Sequence, residues 1–305
     1  MPTLFLLVGP PGSGKSTFAK NQIENGGDLG AECTYVNQDS QGKLQHMENF
    51  REALRNEKDV FVDRMNFNRA QRLGYIEQAR KAGYDVKIHV FHVPYSECLK
   101  RASERIGHET IQDAATAEKA IRFFFKSYER VEDWEADEVI RHYMEGDKPS
   151  AIWVDLDGTL CNCDHRRHHV RTENKKKDWL AFFGGIKDDT VNEPVASVLR
   201  SMSCERAIVY CSGRGEEYRS ATEQWLNKHH LDRFYDPLFE SYTYAHLYMR
   251  LAGDSRQDFI VKEILLDFEI LPRFAIDFCL DDRDQVVKML RGRGLTVFQV
   301  AYGDF

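Results

Sequence analysis

Eight residues near the front of the chain constrain it most: Gly9-Pro10-Pro11-Gly12-Ser13-Gly14-Lys15-Ser16, directly after the apolar run Leu4 to Val8. A glycine, four residues, then Gly-Lys-Ser at the end of a strand makes a loop whose backbone N–H groups converge on one anion. The helix expected to start near Lys15 adds its positive end, Lys15 reaches the terminal phosphates, and Ser16 is placed to ligate Mg²⁺. Gly9, Gly12, Ser13, Gly14, Lys15, Ser16 and Thr17 are therefore the expected nucleotide-binding residues. Binding of a nucleoside triphosphate follows from this stretch; the use made of it does not.

A chain of 305 residues is long enough for two domains, each with its own core. A net charge of −7 argues against a nonspecific nucleic-acid coat and leaves room for a local basic groove. Seven cysteines, odd in number and irregularly spaced, fit a reducing cytoplasm rather than a disulfide scaffold. The N-terminal apolar run has neither a basic leader nor a cleavage site and leads straight into the phosphate loop, so it reads as a buried strand. No other apolar run approaches membrane-spanning length, and no membrane partner is expected.

Strand-like and helix-like stretches alternate through the first half. Strands are expected at Thr3–Val8, Cys33–Asn37, Val60–Asp63 and Val86–Val93, and helices at Lys15–Glu24, Lys43–Asn56, Asn68–Ala82, Tyr95–Arg105 and about Ala114–Val131. That order predicts an α/β fold with a parallel sheet and ligands at the carboxyl ends of its strands. Between Glu132 and Ser150 the sequence turns polar and acidic and ends in Gly146-Asp147-Lys148-Pro149, which marks a boundary. The expected domains are 1–148 and 149–305, since alternation restarts with strands at Ala151–Val154, Ala207–Cys211, Phe278–Leu280 and Thr296–Val300.

Asp155-Leu156-Asp157-Gly158-Thr159 follows the first of these strands, and strand alternation is expected to turn both carboxylates toward one Mg²⁺ and one phosphate. The pattern resembles the haloacid dehalogenase-type phosphatases, and three further pieces occur in that superfamily's order. Ser212-Gly213-Arg214 ends a strand, Lys262 lies on a helix, and Asp281-Asp282 follow Phe278-Cys279-Leu280. The resemblance implies a Rossmann-like domain. Asp155 would be the nucleophile that forms an aspartyl-phosphate, Asp157 the general acid and then base, and Ser212 a donor to phosphate. Arg214 joins the catalytic set, Lys262 neutralises the intermediate, and Asp155, Asp157, Asp281 and Asp282 hold the metal. Hard oxygen ligands favour Mg²⁺. Cys161, Cys163, His165, His168 and His169 lack a four-ligand zinc spacing. The stretch Asp164 to Asp189 reads as a small cap insertion. Its Arg166, Arg167, Arg171 and Lys175 to Lys177 either meet an anionic substrate or form a solvated face, and Trp179, Phe182 and Phe183 are expected to pack it.

The two constellations in this order resemble the bacteriophage-type bifunctional polynucleotide 5′-kinase/3′-phosphatases: a P-loop kinase joined to a haloacid dehalogenase-type phosphatase. The likeness extends over nearly the whole chain and includes Asn37-Gln38-Asp39, Arg256-Gln257-Asp258 with Lys262, Asp281-Asp282-Arg283 and the ending Gln299 to Phe305. It implies transfer of the γ-phosphate of ATP or GTP to a 5′-hydroxyl end and removal of a 3′-phosphate, on DNA or RNA. Asp39 becomes the general base, and Arg101 and Arg105, four apart on one helix face, resemble the lid arginines that clamp the donor phosphates. Asp63, Asn66 and Arg72 are placed to assist the metal or acceptor. Two departures concern the acceptor: Gly42 stands where phage members carry an arginine, and Asp63-Arg64-Met65-Asn66 where Asp-Thr-Asn is expected. The competing reading is a small-molecule kinase fused to a small-molecule phosphatase, which the acidic charge would suit; a third is a module that binds nucleotide without transferring it. Nothing in the sequence speaks for or against a homo-oligomer.

Overall fold

The computed structural model describes residues 1–25, 33–104, 114–170, 177–236 and 241–303. The chain divides into two compact units, Met1–Glu145 and Gly146–Phe305.

The first unit runs β1 (Thr3–Val8), α1 (Lys15–Glu24), β2 (Cys33–Asn37), α2 (Gln38–Gln41), α3 (Gln45–Arg55), β3 (Asp59–Asp63), α4 (Arg69–Lys81), β4 (Asp85–Phe91), α5 (Tyr95–Ser103), α6 (Ala114–Ser127) and β5 (Glu138–His142). Its sheet has the order β2-β3-β1-β4-β5, and every pairing is parallel. The apolar runs of β1 and β3 are the central strands, as expected of sequence buried on both faces. Local signals set the helix starts. Asn68 caps α4 by accepting the Gln71 N–H at 2.8 Å, and Asn37 caps α2 by accepting from Asp39 and Ser40.

In the second unit the order is β6 (Ser150–Val154), β7 (Cys161–Asn162), α7 (Asp164–Arg167), α8 (Trp179–Gly184), β8 (Thr190–Val191), α9 (Glu193–Met202), β9 (Ala207–Gly215), α10 (Arg219–Lys228), β10 (Arg233–Asp236), β11 (Ser241–Tyr244), β12 (His246–Arg250), α11 (Asp258–Leu265), β13 (Ala275–Arg283), α12 (Asp284–Gly292) and β14 (Val297–Gly303). The main sheet, β12-β9-β6-β13-β14, is again wholly parallel. Alternate residues of β6 enter two cores: Ile152 and Val154 on one face, Ala151 and Trp153 on the other. The two-residue strands β7 and β8 pair antiparallel and close the neck of the insertion that holds α7 and α8.

Several strands were not expected from the sequence where they occur. β5 lies in the stretch that reads as a linker, because an edge strand is only partly covered and carries Glu138, Arg141 and His142. β12 is the corresponding edge of the second sheet, and its polar ends hide it in the same way. β10 and β11 form a separate antiparallel pair with a fully exposed β11. In the other direction, β9 and β13 continue past their apolar runs to Gly215 and Arg283, carrying polar residues that belong to the site. Arg105, Arg171, Lys175, Lys176, Asp304 and Phe305 lie outside the described residues. Among the described residues, no helix is long and apolar enough to cross a membrane.

Candidate active sites

The first unit's loop joins the end of β1 to α1. Its glycines are fixed by backbone need: Gly12 has φ 84°, and a Cβ there would stand 2.6 Å from the Cys98 carbonyl oxygen of α5. Lys15 is buried and folds back onto the loop, donating to the carbonyls of Gly9 at 2.9 Å and Pro10 at 2.8 Å and to Ser13 Oγ at 3.4 Å. Gly12, Gly14, Lys15 and Ser16 line a cleft of about 310 Å³. Gly9 and Ser13 stand behind that lining and shape the loop, with the Gly9 N–H donating to Met65 O at 3.2 Å. Thr17 is exposed on α1 and does not line the cleft.

Asp63, at the carboxyl end of β3, collects donors at one oxygen: Ser16 Oγ at 2.6 Å, Tyr35 OH at 2.5 Å and Asn37 Nδ2 at 3.2 Å. Three hydrogen bonds to Oδ2 fix the carboxylate beside the serine expected to hold Mg²⁺. Asp39, exposed in α2, lines the same cleft, so the strand-end placement expected of a base is met. Two further lining residues carry little signal of their own. Arg64 donates to Tyr75 OH at 2.9 Å, and that hydroxyl also meets His46 Nε2 at 2.9 Å, while His46 Nδ1 contacts Gly42 O at 3.1 Å. Asn66 sits at φ 46° with its Oδ1 buried and unbonded among the described residues.

Two arginines are placed elsewhere. Arg72 is fully buried and forks onto Glu135 at 2.7 and 2.9 Å, with three backbone carbonyls taking its remaining donors, so it braces the unit and does not enter the cleft. Arg101 pairs with Glu97 one turn earlier at 2.6 Å and is absent from the cleft lining.

In the second unit, the carboxyl ends of β6 and β13 bring Asp155, Asp281 and Asp282 together, with one oxygen of each within 4.8 Å of the others. Lys262 of α11 is buried among them and donates to Asp155 Oδ1 at 2.6 Å and Asp281 Oδ2 at 3.0 Å. Burial pushes the Asp155 carboxyl well up; Lys262 opposes this and the neighbouring acids reinforce it. Asp282 is raised to about 6 by burial and by Asp281. Asp282 Oδ2 is buried and, among the described residues, has no hydrogen bond, while Arg167 stands 3.5 Å away. Three buried carboxylates, one with an orphaned oxygen, suit a hard divalent cation. Gly158, at φ 96°, keeps the turn clear, since a Cβ there would run into Asp282 and Arg167.

Asp157 differs from the expectation of a shared metal site. Strand β6 ends at Val154, so the alternation that would have aligned the two carboxylates stops before either is reached. The Asp157 side chain instead turns to two arginines: Arg214 at 2.8 and 2.7 Å, and Arg166. Burial works to raise its carboxyl, but Arg214 and Arg166 outweigh that and hold it below the usual carboxylate range. Asp189 accepts both Arg166 Nε at 2.7 Å and Nη2 at 2.5 Å, and lies 3.3 Å from Arg214, which closes a buried network of two acids and two bases. Arg166 therefore belongs to the site rather than to a solvated cap face, and its guanidinium lies 4.1 Å from the Phe182 ring centroid. Ser212, fully buried at the end of the apolar part of β9, accepts the Arg214 N–H at 3.2 Å. Asp258, Arg250 and Arg283 were not named as site residues from the sequence. Asp258 meets Arg283 at 3.2 Å, Arg250 at 3.3 Å and Lys262 at 3.5 Å, and lines the cavity around Asp155. Cys161 and Cys163 are buried, and burial raises both thiols, that of Cys163 to about 11.

Residues 149–305 match the family model described as the polynucleotide kinase PNKP phosphatase domain, and residues 4–129 match that of an AAA domain. The chain is 24% identical over 324 residues to the "Putative bifunctional polynucleotide kinase/RNA ligase" of Autographa californica nuclear polyhedrosis virus, covering 97% of this chain and 42% of that protein. It is 36% identical over 109 residues to "Transcription factor bHLH140" of Arabidopsis thaliana, covering 34% of this chain and 12% of that one. The chain thus spans less than half the length of either of these curated relatives. A chain in the solved structure of the Pnkp1/Rnl/Hen1 RNA repair complex is 28% identical, with 100% of this chain and 97% of that chain covered and a TM-score of 0.42.

Proposed function

The chain belongs to the family of the polynucleotide kinase PNKP phosphatase domain, and from that premise we propose that it heals nucleic-acid ends. In this reading residues 1–148 form the 5′-kinase and 149–305 the 3′-phosphatase. The observation that carries it is the pairing of a phosphate loop facing an exposed aspartate in one unit with a buried aspartate–lysine–carboxylate cluster in the other.

In the kinase, the loop N–H groups and Lys15 hold the phosphates of ATP or GTP. Asp39 takes the proton of the 5′-hydroxyl, its oxygen attacks the γ-phosphorus, and the nucleoside diphosphate leaves. Ser16, fixed by Asp63, is the residue that would hold Mg²⁺. Arg64 lines the acceptor side of the cleft and, through Tyr75 and His46, is tied to the backbone at Gly42. It supplies a cation for the acceptor phosphate where Gly42 offers none. Arg101 and Arg105 are the lid arginines of this reading, and Arg101 exchanges its pair with Glu97 for the donor phosphates.

In the phosphatase, an Asp155 oxygen attacks phosphorus and the bond to O3′ breaks, giving an aspartyl-phosphate. Asp157 protonates O3′, then takes a proton from the water that releases inorganic phosphate. Arg166 and Arg214 keep Asp157 ionised in the free protein. It takes up a proton from solvent when the incoming phosphate competes for those guanidinium groups and its carboxyl rises. Asp155, Asp281 and Asp282 would hold Mg²⁺, which when bound offsets their mutual repulsion and the charge on the phosphate. Ser212 and Lys262 complete the phosphate cradle, and Lys262, already between two carboxylates, neutralises the covalent intermediate.

The test is one end-healing assay on matched DNA and RNA oligonucleotides with 5′-hydroxyl and 3′-phosphate ends, with ATP or GTP and Mg²⁺. Phosphate appearing at the 5′ end and disappearing from the 3′ end is expected. Turnover of free nucleosides or sugar phosphates alone would favour the small-molecule alternative and end this one.

A further inference from the structure

Beside the cavity that holds Asp155 is a second cleft of about 320 Å³, within the roughly 300–1,000 Å³ typical of small-molecule sites. Trp179, Phe183, Gly213 and Arg250 line both, so the two adjoin. The second cleft has an aromatic part and a polar part. Trp179 overlaps Phe183 at 5.9 Å between centroids and 20° between planes, and Phe183 meets Tyr218 at 4.7 Å, which makes a run of three rings leading away from the nucleophile. Arg250 shapes the polar part, donating to the carbonyls of Gly213 at 2.7 Å, Asp254 at 3.2 Å and Arg256 at 2.6 Å.

Trp179 was expected to pack the cap, yet 44% of it remains exposed, whereas Phe182 in the same helix is 4% exposed and forms the packing. Lys177 lies 5.4 Å from the Trp179 centroid and lines the Asp155 cavity but not the second cleft. The ammonium therefore faces the Asp155 cavity, and the exposed part of the indole joins Phe183 and Tyr218 in the apolar wall of the second cleft. We propose that this cleft takes the nucleobase of the nucleotide bearing the 3′-phosphate, packed against Trp179, Phe183 and Tyr218. The proposal rests on the 3′-phosphatase reading: a phosphate at Asp155 is one ribose away from its base, and the ring run begins at the shared mouth. Stacking on aromatic faces accepts any base, so the cleft recognises a nucleoside without selecting its identity.

The experiment measures KM for 3′-phosphate removal from an oligonucleotide ending in a normal base and from one ending in an abasic residue, with p-nitrophenyl phosphate as a third substrate. The abasic end is expected to show a KM about ten-fold higher in the unaltered protein, the size of one base–aromatic contact. Trp179→Ala brings the two KM values together, and Trp179→Phe keeps most of the difference. Equal KM values in the unaltered protein, or a Trp179→Ala change that raises both in parallel, would overturn the assignment. Hydrolysis of p-nitrophenyl phosphate with neither oligonucleotide touched sinks the 3′-end reading itself and takes the cleft assignment with it. If Trp179→Ala does not fold, tryptophan fluorescence serves in the inactive Asp155→Asn background. Adenosine 3′-monophosphate should quench it, inorganic phosphate should not, and adding Trp179→Phe should abolish the quench; a quench that survives overturns the proposal.

Discussion

Each unit buries a lysine at its phosphate site, and the two lysines are satisfied differently. Lys15 donates to oxygens of its own loop, neutral carbonyls at Gly9 and Pro10 and the Ser13 hydroxyl. Lys262 reaches carboxylates 107 and 19 residues away in the chain, Asp155 and Asp281. Loop oxygens that hold an ammonium beside converging backbone N–H groups make an arrangement that suits an anion. An ammonium shared by converging acids leaves a pocket still short of positive charge, and burial then raises those acids. In the proposed function the loop accepts a nucleotide phosphate directly, whereas the carboxylate cluster would take a cation before a phosphate dianion approaches Asp155.

If the two sites are chemically independent, the contrast can be broken one side at a time. Asp155→Asn removes the proposed nucleophile and is expected to lower 3′-phosphate hydrolysis by about 10⁴-fold or more, with 5′-phosphorylation of the same oligonucleotide retained. A variant that still clears 3′-phosphate at the original rate rules out the covalent route. On the other side, Asp39→Ala removes only a proton acceptor, while the loop and its nucleotide stay in place. The expected loss is smaller, about 10²–10⁴-fold in kinase kcat with KM for ATP little changed. An equal loss in both activities would show that the sites are coupled after all.

The same contrast governs how much could be read in advance. The loop was legible because its chemistry is contiguous: Gly9 to Ser16 specify turn, donors and ammonium within one stretch. Asp155, Lys262 and Asp281-Asp282 were legible because they occur in the order of the superfamily they resemble, the aspartates just after or within the last residues of apolar strands and Lys262 inside a helix. Asp189 was not, because its partners Arg166 and Arg214 lie 23 and 25 residues away in the chain, and Arg250 was not, because its contacts at Asp254, Arg256 and Asp258 depend on how the loop after β12 folds back. Arg72 misled for the related reason that an arginine near a strand end looks the same whether it faces a phosphate or, as here, a buried Glu135. Asp157 misled because periodicity was carried past Val154, where the strand that justified it ends.

The smallest effect expected is thermodynamic and tests the cation deficit itself. Burial and the Asp281 charge raise Asp282 to about 6, above the value of about 4 for an unfolded aspartate. Between those values the folded state binds more protons than the unfolded one, so stability falls as pH rises through the window and levels off above it. The size is bounded at about 3 kcal/mol, for a carboxyl that titrates roughly two pH units higher in the folded protein at about 1.4 kcal/mol per pH unit. Asp282→Asn removes this contribution, so the melting temperature of the metal-free variant minus that of the unaltered protein should grow from pH 4 to pH 7. Adding Mg²⁺ should raise the unaltered protein most near pH 7, where the carboxylates it would neutralise are fully ionised, and raise the variant less. A difference that stays flat with pH, or Mg²⁺ stabilisation that is equal in both proteins, would mean that Arg167, 3.5 Å from Asp282, already supplies the charge that a metal was needed to provide.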